Sequence, residues 1–228
     1  MTDYAAEIAS VIGTAPSDLI RYYELGQLPV YRHLHINCLT FAESKEYSRK
    51  MQGISVANLL GLWILDDAND SNPYAYVSKG ACASMIIHFS HDEEPVIAFS
   101  SLSKFLNAMH EAGTRGQHID HVQPEQLSIP LEDSIRALAA EESSDDRTFL
   151  LTTYLAVCAE LRGETKAMLA RDTSFFVREA LAEYLQQHPR LEDLALAEEL
   201  AKERHAQVAR AASAAVAAIR RMTRRPVE

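Results

Sequence analysis

The rhythm of apolar and polar positions changes near the middle of the chain. Before about residue 113, short apolar runs of strand length alternate with amphipathic stretches. After about residue 130, apolar positions recur at helical spacing almost to the end. In the first part, Pro16 to Leu25 predicts a short helix, with proline in its first turn and Gly26 just past its end. Leu34, Ile36 and Cys38 alternate with His33, His35 and Asn37, which predicts a strand. Residues 42–52 are polar and fit either a helical turn or a loop. Residues 59–65, LLGLWIL, form a continuous apolar run that ends in the polar stretch DDANDSNP. Residues 75–77 resume an extended course after Pro73. Residues 85–89 and 96–99 flank the polar stretch SHDEEP and predict a hairpin. A helix follows, capped by Ser100 or Ser101, with Leu102, Phe105, Leu106 and Met109 on one face.

Residues 113–130 hold Gly113, Gly116, Pro124 and Pro130, and a domain boundary is expected there. The expected organisation is an α+β domain over residues 1–128 and an all-helical region over 129–228. Beyond Pro130, Gly163 and Pro189 are the only strong breakers before Pro226. A repeat is also legible. Leu138-Ala139-Ala140-Glu141 recurs as Leu169-Ala170-Arg171-Asp172 and again as Leu200-Ala201-Lys202-Glu203, each time 31 residues on. Val177, Ala180, Leu181, Tyr184 and Leu185 align with Val208, Ala211, Ala212, Ala215 and Val216 at the same step. The first copy is poorer, because Asp146 stands where Val177 predicts an apolar residue. A helical repeat of this length predicts stacked helix pairs, each burying its stripe against the next. Four or more helices in antiparallel pairs are expected; a plain helical bundle is the alternative.

Composition narrows the class. With 228 residues, 47% apolar and 24% charged, the chain is expected to be globular, with one or two domains. No apolar run reaches the length of about 20 residues that a spanning helix needs. The N-terminus lacks a basic segment and carries Asp3 and Glu7, so no secretory signal is expected. Cys38, Cys82 and Cys158 are odd in number and scattered, which fits a reducing cytoplasm rather than a disulfide scaffold. The net charge of −10 is unevenly placed. Residues 1–130 hold 8 basic and 15 acidic side chains, residues 131–200 hold 7 and 15, and residues 201–228 hold 7 and 2. An acidic body repels nucleic acid and favours basic partners. Arg220, Arg221, Arg224 and Arg225 read as favourable charge at a helix C-terminus, with a nucleic-acid contact as the weaker alternative.

Chemical markers are sparse. There is no G-x-S-x-G, phosphate-binding G-x-x-x-x-G-K-[ST], G-x-G-x-x-G or H-E-x-x-H. Asp67-x-Asn69-x-Ser71 has the start of a calcium loop, but Asn72 replaces the required glycine and Ser78 the bidentate glutamate. Short polar side chains also serve turn backbones, so a structural turn without an ion is expected, shaped by Asn72 and Pro73. His88 with His91, Asp92 and Glu93 reads as a solvated hairpin tip with no third ligand identified, and His118 with Asp120 and His121 reads as a surface loop, with divalent metal affinity as the weaker alternative. Trp63 reads as core. No catalytic residue, metal or cofactor is expected.

The stretch from Leu59 to Met109 carries a more specific signal. Trp63-Ile64-Leu65-Asp66, Asp70-Ser71-Asn72-Pro73-Tyr74, His91-Asp92, and Phe99-Ser100-Ser101-Leu102 with Phe105-Leu106 follow in an order that resembles the SUKH superfamily, the Smi/Knr-type domain. The stretch APSDLIRYYELGQLP looks like that family's first helix, so the resemblance covers about residues 15–112. Past the boundary, DTSFFVREALAEYL resembles a HEAT-type repeat. The first resemblance implies an α+β fold, a mixed sheet with flanking helices, with Trp63, Asn72, Pro73, Tyr74, Phe99, Leu102 and Phe105 as its structural motif. It also implies a non-enzymatic protein-binding module. Bacterial members are mostly immunity proteins that block toxin domains, often nucleases; fungal members are regulatory scaffolds in cell-wall synthesis.

The expectation is therefore an immunity-type protein that binds a basic protein domain, with neither nucleic acid nor membrane as partner. Asp66, Asp67, Asp70, Asp92, Glu93 and Glu94, on two predicted turns, are the expected contacts. A regulatory scaffold without a toxin partner is the alternative. A metal-dependent enzyme using the 66–72 loop is the third reading. The sequence leaves the oligomeric state open.

Overall fold

The computed structural model describes residues 3–26, 30–31, 36–66, 72–89, 95–119, 122 and 127–222. The chain is mixed α+β and divides into two compact units, residues 1–127 and 128–228. The expected boundary lies one residue away.

Unit 1 starts with two helices, α1 (Tyr4–Ile12) and α2 (Ser17–Leu25), followed by the short antiparallel pair β1 (Val30–Tyr31) and β2 (Ile36–Asn37). Next come α3 (Phe41–Met51), α4 (Ser55–Leu60) and the strands β3 (Leu62–Ile64), β4 (Tyr74–Val77), β5 (Ile86–His88) and β6 (Val96–Phe99). Helix α5 (Leu102–Arg115) closes the unit's regular structure. Strands β3 to β6 form one sheet in sequence order, and every neighbouring pair is antiparallel. The mixed sheet that the resemblance implies is thus corrected to an antiparallel meander. Each strand pairs with its neighbour in sequence, so no crossover is needed. The 85–89 and 96–99 runs pair as expected, with an irregularity between Ile86 and Ile87.

Several local signals decide this course. Asp3 caps α1 by accepting from the Ala6 amide, a helix the apolar pattern did not announce. The polar stretch 42–52 lies almost wholly within helix α3. Thr40 and Glu43 form a reciprocal capping box at its start, a T-x-x-E signal readable in the sequence. Its two buried serines serve different neighbours: Ser44 Oγ accepts from the Tyr23 hydroxyl of α2, and Ser48 faces the sheet edge. Ser48 Oγ accepts from the Ile64 amide at 2.8 Å, and Gln52 Nε2 donates to the Leu62 carbonyl at 3.2 Å. Helix α3 thereby satisfies the outer side of edge strand β3, which would otherwise present unpaired groups. The run LLGLWIL is not one strand. Leu59 and Leu60 end α4, Gly61 turns the chain at φ +57, and only then does β3 begin. A Cβ at Gly61 would lie 2.2 Å from Ser78 Oγ, so glycine is required there for both conformation and space.

Trp63 is fully buried, as expected. It joins Tyr74, Tyr76, Phe99, Leu102, Phe105 and Met109 in one core with Ile8, Ile12 and Leu19 of the first two helices. Ser101 rather than Ser100 caps α5, accepting from the Lys104 amide.

Unit 2 is helical: α6 (Glu132–Ala139), α7 (Asp145–Leu155), α8 (Gly163–Leu169), α9 (Phe175–Gln187), a 3-10 turn (Leu191–Asp193), α10 (Leu194–Leu200) and α11 (Ala206–Met222). Helices α6, α8 and α10 start at 31-residue steps, and α7, α9 and α11 follow at steps of 30 and 31. Gly163 begins a helix instead of breaking one. Successive long helices pack on each other, α7 on α9 and α9 on α11, while α6 packs on α8. The aligned stripe is the packed one: Val177, Leu181, Tyr184 and Leu185 are buried in α9, and Val208, Ala212 and Ala215 in α11. In α7 burial continues at Leu150, Leu151, Thr153 and Tyr154, 31 residues before Leu181, Ala182, Tyr184 and Leu185. Asp146 takes the edge of that stripe, half-buried.

Candidate protein-binding surfaces

Asp66 occupies a different place from the one expected for a contact residue. It is only 1% exposed, and its Oδ1 accepts from the Tyr74 amide at 2.7 Å. The Leu65 amide donates to the Tyr74 carbonyl, and Cys38 bridges to Asp66 on the other side. The carboxylate therefore fixes the start of β4 and is withdrawn from solvent. This corrects its assignment to an exposed acidic turn: a buried backbone amide needs an acceptor, and Asp66 supplies it. Asp67, Asp70, Asp92, Glu93 and Glu94 lie outside the described residues, as do His91, Asp120 and His121.

The motif residues of the resemblance converge around that anchor. The Asn72 carbonyl accepts from His88 Nε2 at 3.2 Å, and the Pro73 carbonyl accepts from the Phe89 amide at 3.0 Å. The His88 ring stacks on Tyr74 with centroids 4.3 Å apart, and Tyr74 touches Phe99 and Phe105. Asn72 and Pro73 thus tie the β3–β4 connection to β5 through their backbone oxygens. Among the described residues no group of three or more His, Cys, Asp or Glu side chains is placed to hold a metal ion.

The three cysteines are free and buried. Burial pushes the Cys38 thiol up to about 12, aided by the nearby Asp66 charge. Burial alone does the same for Cys82, to about 12, and it also raises Cys158. A thiol held protonated is a poor nucleophile. We expect none of the three to react with a thiol reagent at pH 8 in the native protein, and all three to react once the chain is denatured. Fast modification of one cysteine in the folded state would contradict this placement.

In unit 2 the helix turns are joined by charge pairs that the apolar pattern did not reveal. Arg147 Nη2 meets Asp172 Oδ2 at 2.5 Å, with the two side chains 5% and 4% exposed. Arg147 also donates from Nε to the Leu138 carbonyl and from Nη2 to the Ala139 carbonyl, at the C-terminus of α6. Arg178 pairs with Glu203 through Nε and Nη2 at 2.7 and 2.9 Å, and donates to the Asp172 carbonyl. Both arginines and both acids are 31 residues apart. The acids are the fourth residues of the repeated tetrapeptide, so the signal was present: a recurring acid there, with an arginine at a constant offset one copy earlier. Glu141, the first copy's acid, is exposed. Lys166 and Asp193 form a second buried pair at 2.6 Å. The two arginine pairs fix the turns at one edge of the helix stack and leave other side chains of the same turns facing solvent, while the Lys166–Asp193 pair joins the starts of α8 and α10.

Among the described residues no helix is long and apolar enough to cross a membrane. Comparison of the chain with family models, curated proteins and solved structures gives no match.

Proposed function

We propose that the chain is a non-enzymatic protein-binding module of immunity type, which neutralises a basic toxin domain by covering it. The observation that carries this reading is the acidic excess of the first 200 residues, which hold 30 acidic and 15 basic side chains. Such an excess steers basic surfaces into encounter and disfavours nucleic acid. In this reading unit 1 is a SUKH-type domain, supported by the gathering of Trp63, Tyr74, Phe99, Leu102 and Phe105 in one core. Unit 2 is a HEAT-like stack, supported by helix pairs at a 31-residue step and by the repeated arginine–acid pairs.

The scaffold reading draws on unit 2, which adds a second surface beyond what blocking one toxin requires. Affinity capture separates the two. The immobilised chain, exposed to lysate of its native cells and washed at rising salt, is expected to retain a basic protein whose own toxic activity falls to zero at one equivalent of the chain. Retention of a protein whose activity the chain leaves intact would favour the scaffold.

A further inference from the structure

The edge of unit 2 formed by its three helix turns changes character from one end to the other. The α6–α7 turn exposes Glu141, Glu142 and Asp145. The α8–α9 turn presents Phe175 and Phe176, whose rings lie 4.0 Å apart, with Phe176 44% exposed. The α10–α11 turn exposes Lys202 and Arg204, and its His205 stacks on Phe175 at 3.7 Å. The other acids at the second and third turns, Asp172 and Glu203, are committed to Arg147 and Arg178. Arg171 is exposed at the second turn as well. The edge therefore carries acids at one end, aromatic rings with one cation at its centre, and cations at the other end. With packed helices about 8–10 Å apart, its charged ends are about 20 Å from each other.

We propose that this edge is an interface between two copies of the chain, related by a two-fold axis through the α8–α9 turn. A row with acids at one end and cations at the other is complementary to itself after a half-turn. Glu141, Glu142 and Asp145 of one copy then face Lys202 and Arg204 of the other, and the two Phe176 rings meet at the axis. Isologous contacts of this kind close on themselves and give dimers, not filaments. A nucleic-acid strand laid on the same aromatic and basic turns would have to run past the acidic one. An uncharged apolar peptide would leave both charged ends unused. The exposed aromatic supplies the contact's attraction, while the rim charges set its register. The interface is small, so the dimer is weak and reversible.

Sedimentation of the full chain from about 1 µM to 1 mM spans the relevant range of dissociation constants. A monomer–dimer equilibrium is expected within it. Phe176→Asp places an acid at a helix N-terminus, where it is tolerated, and should weaken the dimer at least tenfold with no change in melting temperature. Charge swaps give the sharper test. A variant with Glu142→Lys and Asp145→Lys is basic at both ends, and one with Lys202→Glu and Arg204→Glu is acidic at both ends. Each alone should be monomeric, and an equimolar mixture should form heterodimers. A wild-type chain that stays monomeric to 1 mM overturns the proposal. So does a dimer that Phe176→Asp leaves intact, or a mixture of the two charge variants that fails to associate.

Discussion

Replacing Arg147 with alanine is expected to destabilise unit 2 by about 3–5 kcal/mol, as for other buried ion pairs that lose one partner. Three losses coincide. Asp172 keeps a carboxylate that is 4% exposed, with its cation gone and only the Ser174 amide, at 2.9 Å, still donating to it. The Ala139 carbonyl at the end of α6 loses the Arg147 donor, and the Leu138 carbonyl is left with the Glu141 amide. The contact between successive helix pairs opens at the point where α7 meets the α8–α9 turn. Removing the second partner as well, in Arg147→Met with Asp172→Asn, should recover more than half of the loss, because the stranded charge dominates it. Arg178→Ala should cost less than Arg147→Ala. Its pair with Glu203 is 17% and 24% exposed, so water can solvate the acid left behind. Denaturant unfolding of the three variants checks the ranking, and an Arg147→Ala chain as stable as Arg178→Ala would refute the assignment of burial.

Trp63→Ala should destabilise unit 1 by about 3–5 kcal/mol, the range for truncating a large buried aromatic. Trp63 sits on edge strand β3 and is fully buried, with Phe41 and Tyr23 against its ring at centroid distances of 5.7 and 6.2 Å. Its indole N–H donates to the Tyr23 hydroxyl at 2.9 Å, and that hydroxyl donates to Ser44 Oγ on α3. One side chain thus links the sheet, α2 and α3. Trp63→Phe separates the two contributions. It keeps much of the ring volume and loses the hydrogen bond, worth about 1 kcal/mol, so the alanine variant should be clearly the worse of the two. Near-equal losses in calorimetry would mean that the polar chain through Tyr23 matters more than packing.

The sequence made some of this legible and hid the rest for definite reasons. Helices α2 and α5, strands β4 to β6 and the three-pair repeat followed from periodicity and from Pro16, Gly26 and Ser101, where local preference agrees with the fold. The run 59–65 misled because apolar content alone does not distinguish a helix end from a strand; Gly61 carried the distinction. Helix α3 is ambiguous in the sequence because its inward residues are Ser44 and Ser48, polar groups buried to accept from the Tyr23 hydroxyl and from the Ile64 amide of a strand edge. Asp66 stands among acidic neighbours in the sequence, which makes it look solvent-facing. Its role depends on the Tyr74 amide eight residues later, a contact set by the return of the chain into β4. The charge pairs of unit 2 escaped because each spans two copies of the repeat, and one copy in isolation shows only half of a pair.

The most direct test of the protein-binding account is the association rate of the chain with its captured basic partner, followed as salt is raised from about 0.01 to 1 M, over which the screening length falls from about 30 to 3 Å. Steering by the acidic excess predicts a fall of at least about tenfold over that range. A chain in which Asp67, Asp70, Asp92, Glu93 and Glu94 are reversed to lysine should start slow and show little salt dependence, with Asp66 left in place to hold β4. An association rate indifferent both to salt and to those five reversals would contradict the account.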